Sequence, residues 1–338
     1  MRLALTGITS GVGRRLCEVA LEQGHEVAGL VREPGRADAR ALDAAGVRLV
    51  PGDVADEAAL GELTDSAEAV VHMAAAVGDW GDRAEFERVN VGGTRAVLEA
   101  AARARVRRFV QLSSVAVYGR PERGRVTEQS PLRKTGEPYD DTKLDAEVLA
   151  FRRGRELGLE VAAVRPPIIY GPYDRNFMPR TVALLRKKSA VLVDGGRAPL
   201  NLVWVDHVVD VLLRSAERPE AAGEAFNVMD TVSARPPTVR AVLEAIADAC
   251  GLERPRLSLP RPLAMAAAFA VDRGWKLARA DKPPPFTPFV VRLMTCDVVY
   301  DAAKAVAELG WQPRLSPLEG VRRFAREHLD AGRSAGRG

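Results

Sequence analysis

Over its first 165 residues the chain repeats one unit: a short aliphatic run, then a longer stretch whose apolar positions recur every three or four residues. The short runs are RLALT (2–6), EVAGLV (26–31), VRLV (47–50), AVVHM (69–73), RRFVQL (107–112) and EVAAVR (160–165). They lack the strict apolar–polar alternation of a strand with one wet face, so each predicts a strand covered on both sides. The stretches between them, such as 13–23, 84–104 and 141–157, are rich in Ala, Leu and Glu at helical spacing. Strands alternating with helices predict an α/β domain over 1–165, a parallel sheet doubly wound with helices on both faces.

After Arg165 the pattern breaks. RPPIIYGPYDRNFMP (165–179) is dense in Pro and Tyr and reads as an irregular, functional loop. Helical and strand-like runs then alternate less regularly, and the Pro-rich RPRLSLPRPLA (254–264) and KPPPFTPF (282–289) bracket an apolar helix. Residues 166–330 are therefore read mainly as a smaller, substrate-binding C-terminal lobe, with elements from 200–230 returning to the first domain. A last helix is expected over 316–330, capped by Ser316 with Pro317 in its first turn, followed by a disordered tail, 331–338.

Composition removes several function classes. The net charge of +4 is the small difference between 49 positive and 45 negative residues, dispersed along the chain. Without a basic stripe interleaved with aromatics, nucleic acid is not an expected partner. Cys17, Cys250 and Cys296 lie far apart with no CxxC, which predicts a reducing, cytoplasmic setting. His25, His72, His207 and His328 show no ligand spacing, so no metal is expected. The chain enters a strand at once, with no signal-peptide layout. Its longest apolar run, LAMAAAFAV (263–271), is too short to cross a bilayer.

Four motifs carry chemistry. LALTGITSGVGRRL (3–16) takes a strand through Gly7, Ser10, Gly11, Val12 and Gly13 into a helix, where backbone N–H groups and the helix dipole would meet a pyrophosphate. GLVREP (29–34) ends the second strand with Arg32 and Glu33 adjacent. Arg32 would take the 2′-phosphate of NADP and Glu33 the ribose hydroxyls of NAD, one residue of register deciding between them. GDV (52–54) places Asp53 and Val54 where an adenine amino group is met. QLSSVAVYG (111–119) leaves Ser113 and Ser114 at the end of the fifth strand, RVNVGGT (88–94) offers Asn90, and YDDTK (139–143) sets Tyr139 one helical turn before Lys143. These polar groups converge on one crevice.

In this order TGITSGVG, GDV, VHMAA (71–75), VNVGGT, LSSVAVYG, YDDTK, RPPIIYGP and VWVDHV (203–208) resemble the extended short-chain dehydrogenase/reductases, the NAD-dependent epimerase/dehydratase family. YGPYDRNFMP and YDAAKAVAELGWQP (300–313) are most similar to its 3β-hydroxysteroid dehydrogenase branch, whose bacterial members include ketone reductases acting on lipids. Ser10 stands where the extended branch usually has Gly, and His207 where it usually has Asp.

The resemblance implies a Rossmann fold with Tyr139 as general acid or base. Its ordinary value near 10 must fall towards neutrality, a change of about 4 kcal/mol. Lys143 would favour the phenolate and hold the nicotinamide ribose, Ser114 would donate to the substrate oxygen, and Asn90 would support a relaying water. Ala74, Ala75, Pro166 and Ile168 would complete the dinucleotide site, with NADP(H) favoured over NAD(H). Trp80, Val115, Asn176 and Phe177 would line a substrate pocket. The apolar 261–275 and Phe286 and Phe289 in 282–293 would form a wall or lid suited to an apolar ketone or alcohol. The alternative is a nucleotide-sugar epimerase or dehydratase with tightly bound NAD, in which Arg175, Arg180 and Arg197 would hold the diphosphate. A non-catalytic dinucleotide sensor is disfavoured by the intact Ser, Tyr and Lys. A homodimer packing through the helices at 84–104 and 138–157 is the expected assembly.

Overall fold

In a computed structural model describing residues 1–78, 80–277 and 286–335, all six aliphatic runs form strands. They are β1 (Arg2–Thr6), β2 (Glu26–Val31), β3 (Arg48–Pro51), β4 (Ala69–His72), β5 (Arg108–Leu112) and, after the short β6 (Arg123–Val126), β7 (Glu160–Arg165). Beyond them come β8 (Ile168–Tyr170), β9 (Leu192–Val193), β10 (Leu202–Trp204), β11 (Ala225–Asn227), β12 (Ser258–Leu259) and β13 (Asp297–Tyr300). The first-domain helices are α1 (Gly11–Glu22), α2 (Ala37–Ala44), α3 (Glu57–Thr64), α4 (Arg83–Phe86), α5 (Gly93–Arg103) and α6 (Pro138–Leu157). The later ones are α7 (Phe177–Arg186), α8 (Val205–Glu217), α9 (Val239–Ala249), α10 (Arg261–Leu277), α11 (Pro288–Leu293), α12 (Ala303–Leu309) and α13 (Pro317–Ala335).

Seven strands make one parallel sheet in the order β3-β2-β1-β4-β5-β7-β11. Alternate residues of each strand bury on opposite faces, which is why the runs read as continuously apolar. Leu3, Leu5, Val71, Val110 and Val164 pack with α1 and α8. Ala4, Val70, Phe109 and Val161 pack with α3, α5 and α6. After β3 the chain crosses to β4 on the other side of β1, so connections diverge at the β1/β4 boundary. The crevice at the C-terminal strand ends there is where such sheets receive ligands.

β8 pairs with β10, β9 with β12 and β6 with β13 outside this sheet. Tyr170, Met178, Trp204, Ile246 and Phe324 form the core of the C-terminal lobe. Asp230 is buried there and accepts from the Tyr170 hydroxyl (2.7 Å) and the Trp204 N–H (2.6 Å). His207 is a packing residue: its Nδ1 meets Asp230 at 2.7 Å and its Nε2 accepts the Arg314 N–H at 3.0 Å. On α10, Ala264 and Ala268 bury against Val193 and Val291.

Two local readings change. The helix expected over 84–104 is interrupted: α4 gives way to a π-helical turn (Glu87–Gly92) before α5. A Cβ on Gly93 would lie 2.8 Å from Val54 Cγ2, so the chain approaches the end of β3 too closely for a larger residue. At the other end, Glu319 accepts from both the N–H and the hydroxyl of Ser316, and α13 continues to Ala335. The tail expected to be disordered is thus helical through 331–335, while 336–338 lie outside the described residues, as do 282–285 of the Pro-rich segment.

Candidate active site

The glycine-rich turn is shaped by close backbone approach. Gly7 has φ 73°, and a Cβ there would lie 2.8 Å from the Ala74 nitrogen. At Gly13 a Cβ would sit 2.2 Å from the Gly7 carbonyl oxygen. Ser10 caps α1 by accepting the Gly13 N–H at 3.0 Å, so the serine that departs from the usual glycine serves as the helix cap. Thr6 ties this turn to β4: its hydroxyl accepts the N–H groups of Met73 and Ala74, both at 3.1 Å, and pairs with His72 Nδ1 at 2.7 Å. Ala74 and Ala75 are thereby held, half-buried, against the turn. A cradle that any Cβ would fill, at the start of a 12-residue helix, fits a dinucleotide pyrophosphate.

Every residue of YDDTK has a place. Asp140 receives Arg120 (Nε to Oδ2 2.5 Å, Nη2 to Oδ1 2.7 Å) and the Thr135 hydroxyl. Asp141 Oδ1 accepts the N–H groups of Thr135 and Gly136. The two acids pin the loop before α6. Thr142 donates to the Pro138 carbonyl and accepts from Asn90. Ser114 lies close enough to Tyr139 to act on its phenol, and its hydroxyl accepts the Ala116 N–H at 3.1 Å. Lys143, 4% exposed, donates to the Leu112 carbonyl at the end of β5, 2.5 Å away. Ser114, Tyr139 and Lys143 therefore meet where β5 ends.

The electrostatics differ from the expected arrangement. Protein packed around Tyr139 pushes its phenol above the ordinary value; the Ser114 hydroxyl opposes this, Asp140 adds to it and Arg120 opposes it. Burial lowers Lys143 to about 8 against the pull of Glu147. The fall anticipated for Tyr139 is not supplied by the chain alone, because desolvation outweighs the nearby donors. Asn90 differs too. Its Oδ1 accepts the Ala76 N–H (2.7 Å), while Nδ2 donates to the Ala76 carbonyl (3.2 Å) and to Thr142 Oγ1 (3.0 Å). With both amide hydrogens engaged, its side chain fastens the strand end to α6 and has no donor left for a relaying water.

Arg32 is exposed after β2, and its charge reaches Glu85. Arg88 bridges Glu85 (2.8 Å) and Asp53 (3.8 Å) in the same neighbourhood. Val54 lies under Gly93. Val115 donates its N–H to the Pro166 carbonyl at 3.1 Å and packs near Leu144; Ile168 and Trp80 are half-buried. Phe177 packs on the C-terminal core, with Asn176 exposed beside it. Phe289 of α11 lies 4.3 Å from the Arg120 guanidinium, which brings that segment to the edge of the Tyr139 site.

Two groups escaped the sequence reading. One is a buried chain behind α6: Arg165 grips Glu147 through Nε (3.0 Å) and Nη2 (2.5 Å) and donates from Nη1 to the Tyr118 hydroxyl, which donates to Asn227 Oδ1. The other is a cavity of about 500 Å³ lined by Arg14, Arg36, Ala37, Asp38, Ala41 and Arg175.

A parallel sheet with a glycine cradle at its first strand, and Ser, Tyr and Lys at its fifth, defines a dinucleotide-dependent enzyme. The chain belongs to the NAD dependent epimerase/dehydratase family, whose model matches residues 3–228. It is 31% identical over 339 residues to a 4-hydroxy-2-methyl-3-oxo-4-farnesyl-3,4-dihydroquinoline-1-oxide ketoreductase of Stigmatella aurantiaca, covering 99% of this chain and 97% of that protein. A 2-alkyl-3-oxoalkanoate reductase of Stenotrophomonas maltophilia is 28% identical, with 96% and 98% covered. Among solved structures, UDP-glucose 4-epimerase of Thermotoga maritima superposes with a TM-score of 0.76 at 20% identity, with 98% and 99% covered, a likeness of fold. The protein is an NAD(P)-dependent oxidoreductase of the extended short-chain dehydrogenase/reductase type. Among the described residues no helix is long and apolar enough to cross a membrane.

Proposed function

We propose that the protein is an NADP-preferring ketoreductase that interconverts a ketone and a secondary alcohol on a largely apolar, lipid- or polyketide-like substrate. The observation that carries the reading is the gathering of Ser114 and Tyr139, one helical turn from a Lys143 that donates to the Leu112 carbonyl, at the C-terminal end of β5. Bound nicotinamide supplies the hydride and, when oxidised, a positive charge. The chain supplies the proton chemistry. In reduction, Tyr139 gives its phenolic proton to the oxygen that becomes the alcohol, and Ser114 donates to that oxygen as charge develops. A phenol held above its ordinary value is fully protonated at neutral pH, which suits that direction. In oxidation the phenolate is needed, and Lys143 is the chain's cation one turn away that favours it.

Gly7, Ser10, Gly11, Val12 and Gly13 would hold the pyrophosphate, and Asp53, Val54, Ala74, Ala75, Pro166 and Ile168 the flanking parts, with Tyr139 and Lys143 at the nicotinamide ribose. Arg32, exposed and without an ion pair among the described residues, supports NADP over NAD. An apolar substrate is supported by relatives named for farnesyl-dihydroquinoline and alkyl-oxoalkanoate ketones, and by Phe289 at the site's edge. The test is a panel of steroid, long-chain β-keto and aromatic ketones with NADPH, beside uridine and thymidine diphosphate sugars. Turnover of the ketones is expected; turnover confined to the sugars would overturn the reading in favour of an epimerase.

A further inference from the structure

The cavity lined by Arg14, Arg36, Asp38 and Arg175 draws on three separate parts of the chain. Arg14 follows the glycine-rich turn on α1, Arg36 and Asp38 open α2, and Arg175 comes from the loop between β8 and α7. Three guanidiniums against one carboxylate leave two positive charges, the complement of a phosphomonoester, which carries −1.5 to −2 near neutrality. Arg14 also has its Nε buried with no hydrogen-bond partner, a donor the protein itself leaves unmet. Arg36 and Arg175 both reach Asp38, at 3.0 Å and 3.4 Å. At 3.4 Å Arg175 makes the looser of the two contacts, and only one of its nitrogens is engaged.

The loop that carries Arg175 is fastened across the cofactor turn. Tyr173 has φ 68°, a left-handed conformation costly for a tyrosine, and is held there from several sides. Its ring lies 3.9 Å from the Arg14 guanidinium, its hydroxyl donates to Glu18 at 2.5 Å, and its carbonyl lies where a Cβ on Gly11 would approach to 2.9 Å. Asp174 then accepts the N–H groups of Asn176, Phe177 and Met178, starting α7. Five residues thus run from the glycine turn to the helix bearing the proposed substrate contacts Asn176 and Phe177.

We infer that this cavity receives the 2′-phosphate of the cofactor, and that Arg175, delivered by the C-terminal lobe, couples that phosphate to substrate binding at the start of α7. The inference rests on the NADP reading above and goes beyond it, since a phosphate read by Arg32 alone would touch only the first domain. When the phosphate enters, Arg175 exchanges part of its hold on Asp38 for the stronger anion, and the loop from Tyr173 to Phe177 is fixed at both ends. NADPH therefore prepares the ketone site in a way NADH does not.

Cofactor dissociation constants and ketone KM, measured with NADPH and NADH on wild type, Arg175→Ala and Arg175→Lys, test this. Arg175→Ala is expected to weaken NADPH roughly tenfold, the worth of one charge-assisted contact, and to leave NADH unchanged. Its ketone KM should rise several-fold with NADPH and not with NADH, with Arg175→Lys in between. If wild type prefers NADPH but Arg175→Ala weakens both cofactors equally, or leaves the ketone KM with NADPH unchanged, the inference is overturned while the NADP reading stands on Arg32. If wild type does not prefer NADPH, both fall. Titration with adenosine 2′,5′-bisphosphate and with inorganic phosphate completes the test. Tighter, Arg175-dependent binding of the nucleotide supports the assignment, and equal or tighter binding of inorganic phosphate refutes it.

Discussion

Replacing Lys143 with Met probes the electrostatics of the site without the cofactor. The side chain is nearly inaccessible, and burial lowers its ammonium from 10.5 to about 8. Each unit of difference between folded and unfolded states corresponds to 1.36 kcal/mol, so the charged form costs the cofactor-free fold about 3 kcal/mol at neutral pH. Between pH 8 and about 10.4 the unfolded lysine binds more protons than the folded one. Wild type must therefore gain stability relative to Lys143→Met as pH rises through that window, by at most about 1.4 kcal/mol per pH unit. The lost bond to the Leu112 carbonyl adds a constant offset and leaves the slope untouched.

Taking the difference between two proteins matters, because other groups titrate nearby. Burial raises Cys17 to about 12, and that thiol makes wild type and variant alike lose stability as pH climbs past the ordinary thiol range. Urea unfolding of both cofactor-free proteins at pH 7, 8, 9 and 10 isolates Lys143. Parallel curves, with no convergence towards high pH, would refute the buried-cation argument, whatever the variant does to turnover.

What could be read from the sequence was what local chemistry forces. Largely aliphatic runs specify two-sided strands because their apolar residues fall on both faces, and Gly7 and Gly13 were legible because backbone approach there tolerates no Cβ. Tyr139 and Lys143 were legible as a spacing, but spacing says nothing of desolvation, and desolvation sets the state of both. Asn90 was legible as a polar residue in a helix after the fourth strand, but the π-helical turn and its three bonds to Ala76 and Thr142, which give it a holding task, were not. The arginine cavity was hidden for another reason. In a chain where positive charge is nearly all arginine and mostly paired on the surface, no local pattern marks the few that converge from residues 14, 36 and 175.

Three further outcomes are expected. Tyr139→Phe removes only a hydroxyl, so cofactor affinity should hold while turnover falls about 10²–10⁴; near-normal turnover in steady-state assays would sink the proposed acid. Val148 is 49% exposed on α6, one of the two helices through which a homodimer was expected, so wild type should sediment as a dimer and Val148→Glu as a monomer; a monomeric wild type refutes the expected assembly, and a dimeric variant places the seam elsewhere. The last concerns the pair beneath α6. Arg165 and Glu147 are 4% and 1% exposed and joined by two bonds, so removing one partner strands the other's charge in a dry interior, at about 3–5 kcal/mol. Arg165→Met should lie at the upper end, because Tyr118 also loses a donor there and its hydroxyl is held to Asn227 alone. The double variant Arg165→Met/Glu147→Met leaves no unpaired charge and should unfold at a higher urea concentration than either single variant. A double variant as unstable as the sum of the two would mean that packing volume, and not the buried charge, sets the cost.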